Sequence, residues 1–184
     1  ELITGKTGDS FLGVVLTYPE TPNLPRKVVL RSIERTTSSE ERKKQSAPLE
    51  QVRLGMLGAG SFASATLLPS IGSIPDVKLV GIASSSGLTA SSAGDRYGFE
   101  YCTTDEQEVL NDPAINTVAI LTRHDLHAQQ VVAALKARKH VFVEKPLALN
   151  EEDLESVLDA AANSDGRLMV GYNRRFSPLG RVEM

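Results

Sequence analysis

The chain has 184 residues, a hydrophobic fraction of 41% and a formal net charge of −3, a balance typical of a globular protein with one full core. The negative charge argues against a general electrostatic attraction to nucleic acid, and no apolar run approaches the ~20 residues that span a bilayer. The single cysteine, Cys102, excludes an internal disulfide and a zinc site of several thiolates, so a reducing cytoplasm is the expected compartment.

The first 50 residues divide into two compositions. Residues 1–33 contain two β-rich runs, FLGVVLTY (11–18) and KVVLRSI (27–33), and two strands alone do not make an independent fold. Residues 34–50, ERTTSSEERKKQSAPLE, have the polar and charged composition of a linker. We therefore expect residues 1–33 to be the end of a preceding domain, in a chain that is a piece of a longer polypeptide.

From Val52 onward, apolar runs of strand length alternate with helical patterns. The runs are almost continuously hydrophobic, which is typical of strands covered on both faces. This alternation with short connections predicts an α/β fold with a doubly wound parallel sheet over residues 51–172. The predicted strands are 52–58, 77–83, 116–122, 140–144 and 167–172.

Two of the intervening helices have a recognisable apolar face. In residues 127–138, the face comprises Val131, Ala134 and Leu135. In residues 150–164, Asn150 is predicted to cap a helix whose acidic first turn suits the helix dipole. The apolar face predicted for that helix comprises Leu154, Val157, Leu158 and Ala161.

A glycine turn follows the first of these strands directly. In GMLGAGSFA (55–63), Gly58, Gly60 and Ala63 fit the pattern G-x-G-x-x-G/A. Gly58 permits the tight turn, Gly60 lets a pyrophosphate approach the backbone, and Ala63 lets the next helix pack near the sheet. A turn that serves only packing is the alternative. The strand–turn–helix context favours an NAD(P)-binding Rossmann fold, with cofactor contacts from Gly58, Ala59, Gly60, Ser61 and Phe62.

The end of the second strand bears on which dinucleotide binds. An acid there would bind the ribose 2′-hydroxyl of NAD, but the sequence has Ser84, Ser85 and Ser86 instead. Hydroxyls do not repel a 2′-phosphate and can hydrogen-bond to it, which slightly favours NADP over NAD. No arginine stands at this place to clamp the phosphate, and Arg96 lies too far along the chain to be assigned. The serines also fit a simple polar loop.

A third motif, Glu144-Lys145-Pro146, ends the strand HVFVE and is followed by VGYNRRFSP at 170–178. Together with the glycine turn, these motifs resemble the Gfo/Idh/MocA oxidoreductases over residues 52–184. The resemblance implies an NAD(P)-dependent enzyme acting on a sugar, cyclitol or related polyol, with an N-terminal Rossmann domain and a C-terminal α/β domain.

The same resemblance implies roles at the strand end. Lys145 would be catalytic, moving the proton of the reacting hydroxyl while hydride passes to the nicotinamide. Glu144 would hold the nicotinamide ribose, and a cis peptide bond before Pro146 would aim Lys145. Taken by themselves, Glu144 and Lys145 also fit a solvated strand exit.

The segment LTRHDLHAQQ (121–130) resembles the family pattern T-P-N-x-x-H, with matches at Thr122 and His127 and departures at Arg123 and His124. Thr122 and His127 are therefore predicted as cofactor-side residues, although His127 also fits a plain helix start. His124 and His127 have a spacing that metal ligands use, but no third ligand is evident and no metal is predicted. In GYNRRF (171–176), the resemblance assigns Asn173 and Arg174 to the cofactor cleft; a surface charge is the alternative for Arg174.

The family's remaining catalytic pair, Asp-x-x-x-His, belongs to its second domain, and residues 173–184 are expected to begin the crossover to it. We therefore expect dinucleotide binding with little or no turnover by this polypeptide. A weaker resemblance of ELITGKTGDSFLGVVLTYPE to the end of a zinc-type medium-chain alcohol dehydrogenase suggests a fusion.

A non-catalytic module that senses a nucleotide or nucleotide-sugar is the competing function. The expected partner of the enzyme is a small sugar or polyol, with no nucleic acid and no membrane, and the full-length form is a candidate homo-oligomer.

Overall fold

The computed structural model describes residues 26–30 and 51–177. Within them, the strands are β1 (Lys27–Val29), β2 (Val52–Leu57), β3 (Val77–Ala83), β4 (Tyr101–Thr103), β5 (Thr117–Ile120), β6 (His140–Glu144) and β7 (Leu168–Gly171). They form one sheet in the order β1-β4-β3-β2-β5-β6-β7.

Helices connect the strands. A π-helical stretch, Ala63–Leu67, runs into α1 (Leu68–Ile71), and short 3₁₀ turns lie at His124–Leu126 and Asn173–Phe176. The remaining helices are α2 (Gly87–Tyr97), α3 (Glu106–Leu110), α4 (His127–Lys136) and α5 (Glu151–Ala162).

The six strands from β2 to β7 are all parallel. From β2, the chain first builds outward through β3 and β4, and then returns to the other side of β2 with β5, β6 and β7. Such a reversal of strand order defines the doubly wound Rossmann-type sheet. The predicted fold class is therefore confirmed.

Apolar side chains cover both faces of the sheet. Along β5, Val118 and Ile120 belong to one buried cluster, while Ala119 between them belongs to the other. This alternation follows from the two-residue period of a strand. It explains the continuous hydrophobicity of the predicted strands, since both sets of side chains are buried.

The sequence prediction differs from the structure between residues 87 and 110. Helix α2, with the sequence GLTASSAGDRY, is rich in serine and glycine, and strand β4 has only three residues. Neither has a hydrophobic period long enough to identify it. Tertiary contacts determine where they form, because β4 pairs with β3 and α2 packs Ala90 and Ala93 into the core.

The predicted apolar face of α5 is partly wrong. Asn150 caps the helix as expected, its side chain accepting from the Asp153 amide at 2.8 Å. Val157 is fully buried, whereas Leu154 and Leu158 are 39% and 59% exposed. Val157 and Ala161 of the predicted face do meet the core, and Ala160, which was not predicted, packs there as well.

Strand β1 joins the sheet from a part of the chain that precedes Val52. It pairs antiparallel with β4, placing Lys27 opposite Thr103. The Leu30 amide also donates to the Glu100 carbonyl at 2.8 Å. The other predicted β-rich run, 11–18, and the predicted linker, 34–50, lie outside the described residues, so the assignment of residues 1–33 to a preceding domain stays a prediction.

Candidate functional site: the carboxyl edge of the sheet

The predicted site residues follow the carboxyl ends of neighbouring parallel strands. Strand pairing sets Leu57 opposite both Ala83 and Ile120, and Ile120 opposite Val143. The glycine turn, the serine loop, Thr122 and Lys145 therefore emerge along the same edge. One strand separates β2 from β6, so the glycine turn and Lys145 leave the sheet roughly 10 Å apart, given the usual spacing of strands. The point between β2 and β5, where strand order reverses, is where open α/β sheets bind ligands.

The glycine turn has the backbone that its pattern requires. Gly58 has a φ of +95°, and a Cβ there would lie 2.6 Å from the Leu121 carbonyl oxygen. A side chain at position 58 is thus opposed by both strain and collision. Gly60 differs, because a Cβ on it would meet no described protein atom within 4 Å. The open side of Gly60 is the space that a pyrophosphate needs.

The residues around the two glycines support this opening. Ala59 and Ala63 are buried, with 6% and 1% exposure, and anchor the turn in the core. Ser61 and Phe62 are exposed at the start of the helix. The Ser64 amide donates to the Gly60 carbonyl at 3.0 Å. The amides before it lie at the helix start, where backbone N–H groups suit an anion.

The serine loop follows β3 beside the glycine turn. Ser84 is half-buried, and its amide donates to the Thr103 carbonyl at 3.1 Å. Ser85 and Ser86 are exposed, and the Ser86 hydroxyl caps α2 by accepting from the Thr89 amide at 3.4 Å. Ser85 is therefore accessible to solvent, whereas the hydroxyl of Ser86 is shared with the helix.

At the end of β6, Glu144 and Lys145 occupy different environments. Lys145 is exposed, and the peptide bond to Pro146 is cis, as the sequence analysis anticipated. The Glu144 carboxylate accepts from the Lys145 amide at 3.3 Å through Oε2. Its other oxygen, Oε1, is buried and has no hydrogen-bond partner among the described residues.

Gly171 of β7 makes room for this carboxylate. It lies directly opposite Glu144 in the strand register, and a Cβ on it would be 2.8 Å from Glu144 Oε1. An unpaired buried oxygen costs free energy unless a donor reaches it. A ribose hydroxyl is such a donor.

Thr122 and His127 are tied into the protein. The Thr122 hydroxyl donates to Gln130 Oε1 at 2.5 Å, and Gln130 Nε2 donates to Glu106 at 2.5 Å. His127 has no exposed surface, and its ring nitrogens lie against the carbonyl oxygens of Pro146 and Thr122. The structure thus places His127 below the open edge, where it contacts the backbone of both loops.

The sequence analysis did not identify Gln130. A signal was available, because positions 127, 130, 131 and 134 are spaced i, i+3, i+4 and i+7 and share one helix face. Polar residues at two positions of a buried stripe indicate an internal hydrogen-bond network. Both His127 and Gln130 are indeed buried.

The remaining predicted residues lie at the rim. Arg123, which departs from the family pattern, is exposed and pairs with Asp125 at 3.4 Å. The His124 ring contacts His127 edge-on, with 5.6 Å between centroids. Asn173 and Arg174 are exposed in the 3₁₀ turn after β7. Both follow a strand that ends at the same edge as the glycine turn.

Taken together, the residues fit a dinucleotide. Gly60 leaves a backbone cradle open. On the far side of the switch point, Glu144 has a buried acceptor oxygen for which the described part of the chain supplies no donor. A diphosphate at the turn and a ribose hydroxyl at Glu144 would satisfy both features.

Comparison with known proteins identifies the family. The model of the Gfo/Idh/MocA family, described as an oxidoreductase family with an NAD-binding Rossmann fold, matches residues 52–172. The chain belongs to the Gfo/Idh/MocA family. Inositol 2-dehydrogenase of Rhizobium meliloti (strain 1021) is 35% identical to it over 127 residues, covering 69% of this chain and 38% of that protein.

Solved structures agree with this family. A 3-ketoreductase from Actinomadura kijaniata in complex with NADP has a TM-score of 0.66 and 27% identity, covering 71% of this chain and 42% of that one. Levoglucosan dehydrogenase in complex with NADH and levoglucosan has a TM-score of 0.62 and 32% identity, covering 68% of this chain and 36% of that one. The chain therefore spans about two fifths of the length of these relatives.

The family match begins at residue 52, and the suspected fusion to a zinc-type alcohol dehydrogenase is not shown. Within residues 26–30 and 51–177, none of the helices has the length and apolar character that crossing a membrane requires.

Proposed function

We propose that this chain is the cofactor-binding part of an NAD(P)-dependent oxidoreductase that transfers hydride between the nicotinamide and a sugar, cyclitol or related polyol. The observation that carries the proposal is the placement of Lys145 on the same sheet edge as the glycine turn, across the switch point. The dehydrogenase and ketoreductase relatives support the reaction class.

Each group of residues at the carboxyl edge of the sheet has one proposed role in binding the cofactor. The turn from Gly58 to Phe62 binds the pyrophosphate, the serine loop binds the adenosine ribose, and Glu144 accepts a hydrogen bond from the nicotinamide ribose. The nicotinamide, when bound, supplies the hydride acceptor or donor. Asn173 and Arg174 line the cleft from the end of β7, while Thr122 supports the nicotinamide side.

Lys145 acts on the substrate oxygen. An ammonium at this place stabilises developing alkoxide character and exchanges a proton with the reacting hydroxyl. Its side chain is exposed beyond the strand end, which leaves it free to meet a substrate that approaches the cofactor from outside the sheet.

For the cofactor itself, we propose NADP with a slight preference over NAD. The support is the absence of an acid in the Ser84–Ser86 loop, since a carboxylate there would repel the 2′-phosphate. Similar solved proteins carry NADP in one case and NADH in another, so both cofactors enter the binding experiment.

A matched pair of glycine substitutions tests dinucleotide binding. Gly60→Ala adds a methyl group that meets no described protein atom but fills the phosphate cradle, so we expect at least about a tenfold rise in Kd with an unchanged fold. Gly72→Ala adds the same group at the end of α1, where its nearest neighbour is the Leu68 carbonyl at 3.4 Å, and should leave Kd unchanged.

Calorimetric titration of the 184-residue chain with NADPH and NADH gives the measurement, and thermal melting confirms folding. The absence of binding by the unsubstituted chain to either cofactor would contradict the proposed function. Equal Kd values for the two glycine variants would remove the glycine turn from the site.

The catalytic role of Lys145 is tested by Lys145→Arg in a polypeptide that includes a substrate domain. We expect kcat to fall by about 10² or more, because the guanidinium does not give up a proton at neutral pH. Dinucleotide Kd should stay within about twofold, since Lys145 is not needed to bind the pyrophosphate. Unchanged turnover would remove Lys145 from the catalytic role. No turnover by the unsubstituted polypeptide would favour the competing function, a nucleotide-sensing module, which the departures at Arg123 and His124 keep in view.

The compartment of the protein and the nature of its neighbouring domains are also proposals. We propose that the protein works in the cytoplasm, in keeping with one buried cysteine whose thiol pKa is raised by burial and by nearby Asp95. Residues 1–33 are proposed as the end of a preceding domain, with a zinc-type alcohol dehydrogenase as its candidate source, and residues 173–184 as the start of the crossover to a substrate domain.

A further inference from the structure

His127 joins two loops that leave different strands. Its Nδ1 lies 2.6 Å from the Pro146 carbonyl oxygen, in the loop after β6, and its Nε2 lies 3.1 Å from the Thr122 carbonyl oxygen, in the loop after β5. The ring is fully buried. It has no surface with which to touch a ligand, so its effect on the site must pass through these two backbone groups.

The Thr122 end of this bridge is rigidly held. Gln130 accepts from the Thr122 hydroxyl at 2.5 Å and is itself bonded to Glu106 of α3. The peptide between Leu121 and Thr122 also packs closely against the glycine turn, since a Cβ on Gly58 would lie 2.9 Å from the Thr122 amide nitrogen. Thr122 is thus fixed relative to the phosphate cradle.

The Pro146 end is held in a different way. Glu144 is fixed in the sheet opposite Gly171, and Leu147 and Ala148 pack against the core. Between them, Lys145 is exposed, and the bond from its amide to Glu144 is local to the strand end. The contact of His127 Nδ1 with the Pro146 carbonyl therefore connects the backbone just beyond the sheet pairing to α4, beside Thr122 and the turn at Gly58.

We propose that His127 is a positioning residue that orients Lys145 and, through the Lys145 amide, the Glu144 carboxylate, and so determines how the nicotinamide half of the dinucleotide is held. The inference rests on the proposed function. It replaces direct cofactor contact by His127 with an indirect role, because the ring is buried and both of its nitrogens face backbone carbonyls.

Two substitutions of His127 test its contacts with Pro146 and with Thr122 separately. His127→Asn places an amide nitrogen near the position of Nδ1 and can keep the bond to Pro146. His127→Gln places it near the position of Nε2, beside Thr122, and cannot make the contact with Pro146, which is the shorter of the two contacts of the ring. A general loss of packing would affect both variants, whereas loss of positioning should affect only the glutamine variant.

The experiment compares the Kd of the whole dinucleotide with the Kd of its adenosine half. Calorimetry on the full chain measures Kd for the cofactor that the unsubstituted chain prefers, and for the matching ADP or 2′-phospho-ADP, which lacks the nicotinamide ribose assigned to Glu144. We expect His127→Gln to weaken dinucleotide binding about fivefold or more, the scale of one misplaced hydrogen bond. Binding of the ADP or 2′-phospho-ADP should stay within about twofold, and His127→Asn should match the unsubstituted chain for both ligands.

The outcomes are distinguishable. If the unsubstituted chain binds neither ligand, the proposed function fails. If it binds both ligands equally tightly, or if both variants bind the dinucleotide as it does, only the role of His127 fails. The role is also overturned if either variant raises Kd equally for both ligands, or if His127→Asn no longer binds the dinucleotide more tightly than the second ligand. His127 would then be a packing residue.

Discussion

Lys139 and His140 are adjacent ionisable residues at the amino end of β6, opposite the proposed cofactor edge. Lys139 is buried and donates to the carbonyls of Asp112 and Ile115 at 2.8 and 2.7 Å. Burial lowers the pKa of Lys139, and nearby Asp112 partly offsets this effect. Burial also lowers the pKa of His140, and repulsion from Arg167 adds to it. The His140 ring accepts from the Arg167 amide at 3.0 Å through Nδ1, which requires an unprotonated nitrogen.

The lowered pKa of His140 makes stability depend on pH. Below the ordinary value of 6.5, the unfolded chain binds a proton at this residue while the folded chain resists it, so the free energy of unfolding falls as the solution is acidified. The loss should begin near pH 6.5 and continue down through the lowered folded-state pKa. Urea unfolding at pH 7.5 and at pH 5 measures it.

His140→Asn supplies the control, because its side-chain oxygen can accept from the Arg167 amide without titrating. The variant should lose less stability than the unsubstituted chain between the two pH values. Equal losses would show that the bond to Arg167 does not depend on the charge of the ring. Such a comparison also removes the contributions of the other titrating groups.

Strand β1 shows at the scale of an element how a segment outside the family match joins the domain. Lys27 places its ammonium 3.6 Å from the centre of the Tyr101 ring, and Arg26 pairs with Asp105 at 3.4 Å. Leu30 packs against the buried cluster that contains Ala119, where the missing side chain of Gly94 leaves space for it. Surface ion pairs contribute little to stability, so the apolar contact of Leu30 should dominate.

Leu30→Ala tests this contact. We expect the free energy of unfolding to fall by about 1–2 kcal/mol, the scale of a partly buried leucine truncated to alanine. Val29→Ala is the matched control, because Val29 is 66% exposed and should change stability by less than about 0.5 kcal/mol. Equal effects of the two substitutions in urea unfolding would show that β1 adds no apolar anchoring to the sheet.

At the scale of the whole molecule, strand order assembles the candidate site. Residues 58 and 145 are far apart in the sequence, yet the order β2-β5-β6 brings the ends of their strands to one edge with a single strand between them. The same strand order explains why the site residues come from separate elements. The proposed phosphate cradle follows β2, the proposed ribose acceptor Glu144 ends β6, and the ring of His127 comes from α4.

Sequence alone was sufficient where a local physical constraint decides the structure. A strand buried on both faces must be apolar throughout, and this predicted β3 and β6 at their observed bounds. The left-handed backbone at Gly58 likewise requires glycine. The cap at Asn150 is a contact between residues three apart, so it too could be predicted from the sequence.

Tertiary structure decided what depends on distant neighbours. Val157 rather than Leu154 or Leu158 is buried because the position of α5 over the sheet chooses the covered face. Likewise, β4 exists through its pairing with β1 and β3, and His127 reaches Pro146 because β5 and β6 are adjacent. Periodicity specifies which side chains prefer burial, but only the packed sheet specifies which partner each of them meets.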